Sequence, residues 1–274
     1  MFINVAEELK SARSGGYALG AFNTCNLEVT KAICKAAAET EGNIIIQTTP
    51  GSIKYSGLEQ IFSIIKNEIE SSNIKAAIHV DHANDFEIIR EAIEMGYRSV
   101  MIDGSKLPFE ENIALTKRVV EFAKTKNVSV EGEIGVLGKE EGGMISGDAE
   151  YSSPDQVRQF VELTGIDSVA VSVGNEHGAP KGEKIDFELL EKISGLISIP
   201  LVMHGASGLS DLDIKRAIGL GISKINIDTN IRCAFIDGMR DIPEGAKDYR
   251  DILEVGMEKV TEVVKQKILL FQNK

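Results

Sequence analysis

The sequence predicts an eight-stranded β/α barrel, the TIM-barrel fold, as a single domain over residues 1–274. Three observations carry that prediction. Short β-rich runs alternate with segments of helical period along the chain. The runs are almost continuously apolar, as strands must be when a parallel sheet is covered on both faces. There are eight of them in 274 residues, the number and size of a (β/α)8 barrel. An open doubly wound sheet is the alternative, and eight strands are many for it.

The elements follow in order. A first helix, over about residues 4–13, caps the barrel bottom. The strands are YALGAF (17–22), NIIIQT (43–48), KAAIHV (75–80), RSVMID (98–103), VSVEGEI (128–134), IDSVAVSV (166–173), IPLVMH (199–204) and ISKINID (222–228). Between them the period changes to that of a helix. In DFEIIREAIEM (85–95), Phe86, Ile89, Ala92 and Ile93 share one face and the charges the other. Asn84 or Asp85 can cap that helix, and Gly96 ends it. PFEENIALTKRVVEFAKTK, SSPDQVRQFVELTG, DFELLEKISG and SDLDIKRAIGLG repeat the form. Residues 247–270 read as a long C-terminal helix.

Composition narrows the function classes. With 43% apolar and 26% charged residues the chain is globular. No apolar run approaches the roughly 18–20 residues of a membrane span, and the first residues lack the apolar core of a secretory signal. Cys25, Cys34 and Cys233 are few and unpatterned, which reads as reduced thiols in a cytoplasm. The net charge of −12 comes without a basic face, so a nucleic-acid partner is not expected. An anionic substrate must then be held by local donors, such as backbone N–H groups at helix starts.

In barrels of this kind chemistry collects at the C-terminal ends of the strands. Those ends carry Asn23, Thr48–Thr49, Asp81–His82, Glu133, His177, His204–Ser207, and Asn226 with Asp228 and Thr229. Three of the chain's four histidines thus lie on one rim. A lone histidine at a strand end is more often a hydrogen-bonding residue than a ligand. Three on one rim, with a carboxylate beside them, suit a catalytic zinc, which takes three protein ligands and leaves a position open. His79 lies inside its strand and reads as a core histidine that can support a ligand from beneath. Glycine-rich turns, HGASG (204–208) and HGAPKG (177–182), can cradle a phosphate with Lys181 and with Asp228–Thr229.

These residues resemble a known family, the class II, metal-dependent ketose-bisphosphate aldolases, which act on fructose or tagatose bisphosphate. The resemblance runs through YALGAFN (17–23), HVDH (79–82), RSVMIDGS (98–105), VEGEIG (130–135), FVELTGIDSVAVSVGNEHG (160–178), LVMHGASG (201–208), KINIDT (224–229) and DYRDILEVGM (248–257). Length and motif detail are closer to the shorter branch, which includes the tagatose-bisphosphate enzymes. The resemblance implies a barrel lyase that cleaves a ketose 1,6-bisphosphate reversibly to dihydroxyacetone phosphate and glyceraldehyde 3-phosphate. Fructose 1,6-bisphosphate is the foremost substrate it suggests; tagatose 1,6-bisphosphate or a related ketose phosphate is the alternative.

It further implies that His82, His177 and His204 bind Zn²⁺, with Co²⁺ or another divalent ion as a substitute, and leaves room for a monovalent cation. Glu133 matches an alternative metal ligand. Asp81 matches the group that exchanges the C4 hydroxyl proton, and Glu141, in the loop GKEEGG, the one that moves the carbon-bound proton. Gly178, Lys181, Gly205, Ser207, Asp228 and Thr229 match the C1-phosphate cradle. Asn226 matches a contact to substrate hydroxyls, and Arg250 an anchor for the distal phosphate. Asn23, Thr49, Asp103 and Ser105 are candidates for epimer discrimination. The resemblance implies a cytoplasmic homodimer or homotetramer in the service of carbohydrate metabolism and glycolysis.

Three positions depart from the family pattern. GKEEGG has one glycine before its acids, so either Glu140 or Glu141 can be the proton shuttle. Asn230 stands where an aspartate is common. Glu176 precedes His177 where a small or apolar residue is usual. The rival functions are a Schiff-base aldolase, a metal-dependent hydrolase and a non-catalytic sugar-phosphate binding barrel. Lys75 and Lys224 lie badly for a Schiff base: one is at the wrong end of its strand and the other early in the last strand.

Overall fold

The run Ile44–Ile45–Ile46–Gln47–Thr48 shows how the fold is built. In a strand, successive side chains point to opposite faces. Ile44 and Ile46 pack outward with the helices, whereas Ile45 packs inward with Leu19, Ala21 and Ala77. Both faces are therefore apolar at this level, and the strand is buried throughout. The computed structural model describes the chain apart from residues 137–138, 142–143, 147–149, 177, 179–183, 242–244, 246 and 274. At 139–141 and 144–146 it describes the backbone alone.

The barrel strands are β1 (Leu19–Asn23), β2 (Ile44–Thr48), β3 (Ala76–Ala83), β4 (Ser99–Ile102), β5 (Ser129–Ile134), β8 (Ser168–Val171), β9 (Leu201–Met203) and β10 (Ile222–Ile227). A small antiparallel pair, β6 (Lys139–Glu141) and β7 (Met144–Ser146), stands apart after β5. The eight barrel strands pair in parallel and in chain order, and β1 closes on β10. This is the expected TIM barrel.

Helices follow the strands. They are α1 (Val5–Gly15), α2 (Leu27–Thr40), α3 (Pro50–Ser56), α4 (Leu58–Ser71), α5 (Phe86–Met95), α6 (Phe109–Lys124), α7 (Pro154–Thr164), α8 (Phe187–Leu196), α9 (Asp211–Gly219), α10 (Thr229–Arg240) and α11 (Tyr249–Phe271). Side chains cap some of their starts, but not those of α4, α6, α7 and α10. Asn26 Oδ1 accepts from Val29 N at 3.0 Å, and Asp85, not Asn84, accepts from Glu87 N at 2.9 Å. The β2–β3 connection holds two helices, divided at Gly57, whose φ of 83° suits glycine. None of the described helices is long and apolar enough to cross a membrane.

The barrel interior is graded. At the bottom, Val5, Leu9 and Ala12 of α1 close against Leu19, Ala21, Ile45 and Ala77. Above them the inward positions become polar: His79 then Asp81 on β3, Glu131 then Glu133 on β5, Lys224 then Asn226 on β10. All of these are buried.

Candidate active site

Three amides converge on Asp81. Asn23 Nδ2 donates to Oδ2 at 3.0 Å and Gln47 Nε2 to the same oxygen at 3.2 Å, while Asn226 Nδ2 donates to Oδ1 at 2.9 Å. Gln47 Nε2 also reaches Asn23 Oδ1 at 2.7 Å. The donors sit on β2, β1 and β10, the three strands that succeed β3 on one side of the barrel. Burial alone would raise the Asp81 carboxyl, but the His82 and His204 imidazoles and the Lys224 ammonium pull it down to about 2. Asp81 is therefore an anion at neutral pH, held in one orientation.

Asp81 and His82 are adjacent, and a regular strand would send them to opposite faces. A bulge prevents this. The β3–β4 register shifts between Val80 and Ala83, and His82 has φ 50°, a left-handed conformation unusual for a residue with a Cβ. The irregularity brings the His82 ring back toward the site. Its Nε2 lies 4.0 Å from Asp81 Oδ1. Its Nδ1 lies 3.2 Å from Asp103 Oδ2 and 3.7 Å from Glu133 Oε2. A carboxylate only accepts, so Asp103 fixes the proton on Nδ1 and leaves the Nε2 lone pair for a ligand. Asp103 is itself oriented by the Ser105 amide and hydroxyl, at 3.1 and 2.7 Å. Burial opposes its charge, but the His82 bond and these two hold its carboxyl well below the usual range.

His204, at the end of β9, is fully buried, with its ring centroid 4.5 Å from that of His82. Its Nδ1 faces Glu133 Oε2 at 3.3 Å. Its Nε2 sits 2.9 Å from Glu131 Oε1, and Glu131 Oε2 is 2.8 Å from Lys224 Nζ. Burial would lower the imidazole, but Glu131 and Glu133 raise it to about 10. Asp81, His82 and His204 each offer a ligand atom within 4.8 Å of the others, and so do His82, Asp103 and Glu133. Two imidazoles with several carboxylates are the donor set of zinc or a similar divalent ion, so these residues fit the metal that the sequence suggests.

Of the residues expected to cradle a phosphate, Gly205, Ser207, Asp228 and Thr229 lie just after β9 and β10. Gly205 has φ 65°, and a Cβ there would lie 2.3 Å from the Glu176 carbonyl oxygen, so only glycine permits this approach. Asn175 Nδ2 donates to the His204 carbonyl at 3.0 Å, and its Oδ1 accepts from Val173 N at 2.8 Å. Together these contacts dock the chain that enters residue 177 against β9. Ser207 lies in the short 3₁₀ turn Ala206–Gly208, and its carbonyl accepts from Asn230. Asp228 is the residue before α10 and Thr229 its first, with Asp228 paired to Arg232 at 3.1 Å. Gly178 adopts φ 95°. Thr49 caps α3 by accepting from Ser52 N at 3.1 Å.

His177 and Lys181 lie outside the described residues. Glu141 was expected in a loop; its backbone instead ends β6, paired with Met144, and its side chain is outside the description. The physical reason is local: residues 139–141 and 144–146 pair antiparallel and supply one another's backbone partners. Arg250 is exposed at the start of α11 and is bonded to Asp248, not to the residues around Asp81.

Three residues of the site escaped the sequence reading. Gln47 looked like part of an apolar run, and Glu131 looked like one charge among many. Lys224 was weighed only as a Schiff-base nucleophile. Their partners are 24 to 145 residues away, so no local pattern marks them.

Comparison with known proteins agrees with this geometry. The family model described as class II fructose-bisphosphate aldolase matches residues 3–274. A solved structure titled as the YdjI aldolase from Escherichia coli K12 superposes with a TM-score of 0.88 at 33% identity, covering 99% of this chain and 97% of that one. A putative fructose-1,6-biphosphate aldolase from Coccidioides immitis gives 0.89 at 26% identity, over 98% and 96% of the two chains. The fructose-bisphosphate aldolase of Campylobacter jejuni shares the fold, with a TM-score of 0.82 at 23% identity over 98% and 95%.

Proposed function

We infer the reaction from one premise: the chain belongs to the class II fructose-bisphosphate aldolase family. We propose that it cleaves a ketose 1,6-bisphosphate reversibly between C3 and C4, with fructose 1,6-bisphosphate as the first candidate substrate. The observation that carries this is the Asp81 carboxylate, held by three amides beside two imidazoles. A retro-aldol cleavage needs a fixed base for one hydroxyl proton, and this geometry supplies one.

In the cleavage direction Asp81 takes the C4 hydroxyl proton. The C4–O pair becomes the aldehyde carbonyl, and the C3–C4 pair stays on C3. Glu141 returns a proton to C3, which gives dihydroxyacetone phosphate, and glyceraldehyde 3-phosphate is the other product. Asn226 and Asn23 keep Asp81 aimed and meet the substrate hydroxyls. His82, His177 and His204, with Glu133 as an alternative ligand, would hold a divalent cation, zinc in this reading, which when bound would supply Lewis-acid polarisation of the ketose carbonyl. Gly178, Lys181, Gly205, Ser207, Asp228 and Thr229 hold the C1 phosphate, and Arg250 the distal one. The burial of Lys224, clamped to Glu131, speaks against a Schiff base on that residue.

The test is a coupled assay on the fructose and tagatose epimers, with metal content measured in the same preparation. Cleavage of at least one epimer by metal-loaded protein is expected, with no inactivation by borohydride in the presence of dihydroxyacetone phosphate. No cleavage of either by zinc-loaded protein would refute the substrate class.

A further inference from the structure

Beneath the rim, leading down from the proposed metal ligand His204, lies a chain of buried polar groups that the reaction itself does not use. It starts at His204 Nε2, 2.9 Å from Glu131 Oε1. It continues from Glu131 Oε2 to Lys224 Nζ at 2.8 Å, from Nζ to His79 Nε2 at 3.4 Å, and from His79 Nδ1 to Ser99 Oγ at 2.7 Å. His204, Lys224 and His79 are fully buried, and Glu131 and Ser99 are 2% exposed. The four ionisable groups come from four strands and meet inside the barrel.

We propose that Glu131 and Lys224 are positioning residues for the metal-binding imidazole of His204. The inference rests on the reading that His204 ligates a divalent ion. The carboxylate of Glu131 only accepts, so it holds a proton on His204 Nε2 and leaves Nδ1, on the side of Glu133, as the ligand atom. One oxygen alone would let the carboxylate swing. Lys224 grips the other and so sets its plane, and its buried ammonium balances the carboxylate's charge. His79 completes the anchor: its Nε2 accepts from Lys224, and its Nδ1–H donates to Ser99. Stability does not explain the arrangement. A buried ion pair can often be replaced by apolar residues without loss of stability, and the layer just below is filled by Leu19, Ala21, Ile45 and Ala77.

Two double variants test this. Glu131→Leu with Lys224→Met removes both charges and the acceptor. Glu131→Gln with Lys224→Met removes the charges and keeps an acceptor oxygen. Zinc affinity is measured by competition with a chromogenic chelator, and thermal midpoints are measured on the metal-free proteins. The first variant is expected to bind Zn²⁺ about 10–100-fold more weakly than wild type, the range for a lost ligand partner. Its metal-free midpoint should be unchanged or higher, and the second variant should recover most of the affinity. Wild-type affinity in the first variant, or a lower midpoint with unchanged affinity, overturns the proposal. One further measurement needs no variant. Imidazole nitrogen NMR of the zinc-loaded wild type should show His204 protonated at Nε2 and ligated through Nδ1; the reverse overturns the proposal. Wild type that binds no Zn²⁺ refutes the metal reading itself, whereas tight wild-type binding with indifferent variants refutes only the positioning role.

Discussion

The two ends of the barrel interior are built from the same strands and follow opposite rules. At the bottom, Leu19, Ala21, Ile45 and Ala77 meet α1 in an apolar plug. Two residues further along β1 and β2 stand Asn23 and Gln47; four further along β3 stands Asp81. There the inward groups are amides, carboxylates and imidazoles, as buried as the plug and bonded to one another. The bottom can be read as hydrophobic burial, which is roughly additive and indifferent to direction. The top depends on direction, since each buried polar group is costly unless its partner is in place. The lower end should therefore govern stability and the upper end turnover, and damage to one should leave the other nearly intact.

The largest expected effect is at the top. Removal of divalent metal with a chelator should abolish cleavage, and Zn²⁺ or Co²⁺ should restore it, while circular dichroism shows the barrel still folded. Full activity of metal-free protein would remove the chemical reason for the polar end.

Next comes the bottom. Leu9 is 1% exposed in the plug. Leu9→Ala should cost about 2–5 kcal/mol, the usual range for truncating a buried leucine. That should lower the urea midpoint at constant slope, with kcat and KM unchanged under folding conditions. A loss of turnover matching the loss of stability would show that the two ends are not separable.

The smallest effect is expected at Arg250, proposed above as the anchor of the distal phosphate. Arg250→Ala should raise KM for the bisphosphate by about 10–100-fold, since a hydrogen-bonded charge pair contributes roughly 1.5–3 kcal/mol. Affinity for dihydroxyacetone phosphate, which lacks the distal phosphate, should barely change. Equal weakening of both ligands would remove Arg250 from the site.

The contrast between the ends also explains what the sequence could tell. The barrel was legible because its signals are local and repeated: the Ile44–Ile46 run, the apolar face of α5, the Asp85 cap and the Gly96 stop. His82 and His204 were legible at the rim because strand order fixes where strand ends lie. His79 was expected in the core, and the structure buries it against Ser99. Long-range complementarity was not legible. Glu131 and Lys224 lie in two separate β-rich runs, and their pairing shows only when β5 and β10 are placed around one axis. Gln47 is hidden by the three isoleucines before it. The bulge at His82 has no glycine to announce it, so the sequence could pair Asp81 with His82 but not say how both reach one site.

The most direct test of the central claim, that the polar end aims one carboxylate at one proton, is Asp81→Asn. Asparagine keeps the size and leaves the histidines in place, so zinc should remain bound. Two rates are then measured in deuterated water: cleavage of the bisphosphate, and exchange of the C3 proton of dihydroxyacetone phosphate. Cleavage should fall by roughly 10²–10⁴-fold, the range for a lost general base, or about 3–5 kcal/mol of barrier. Exchange needs no C4 hydroxyl and should survive better than cleavage; in Glu141→Ala it should suffer at least as much. Equal loss of cleavage and exchange in zinc-replete Asp81→Asn would contradict the account.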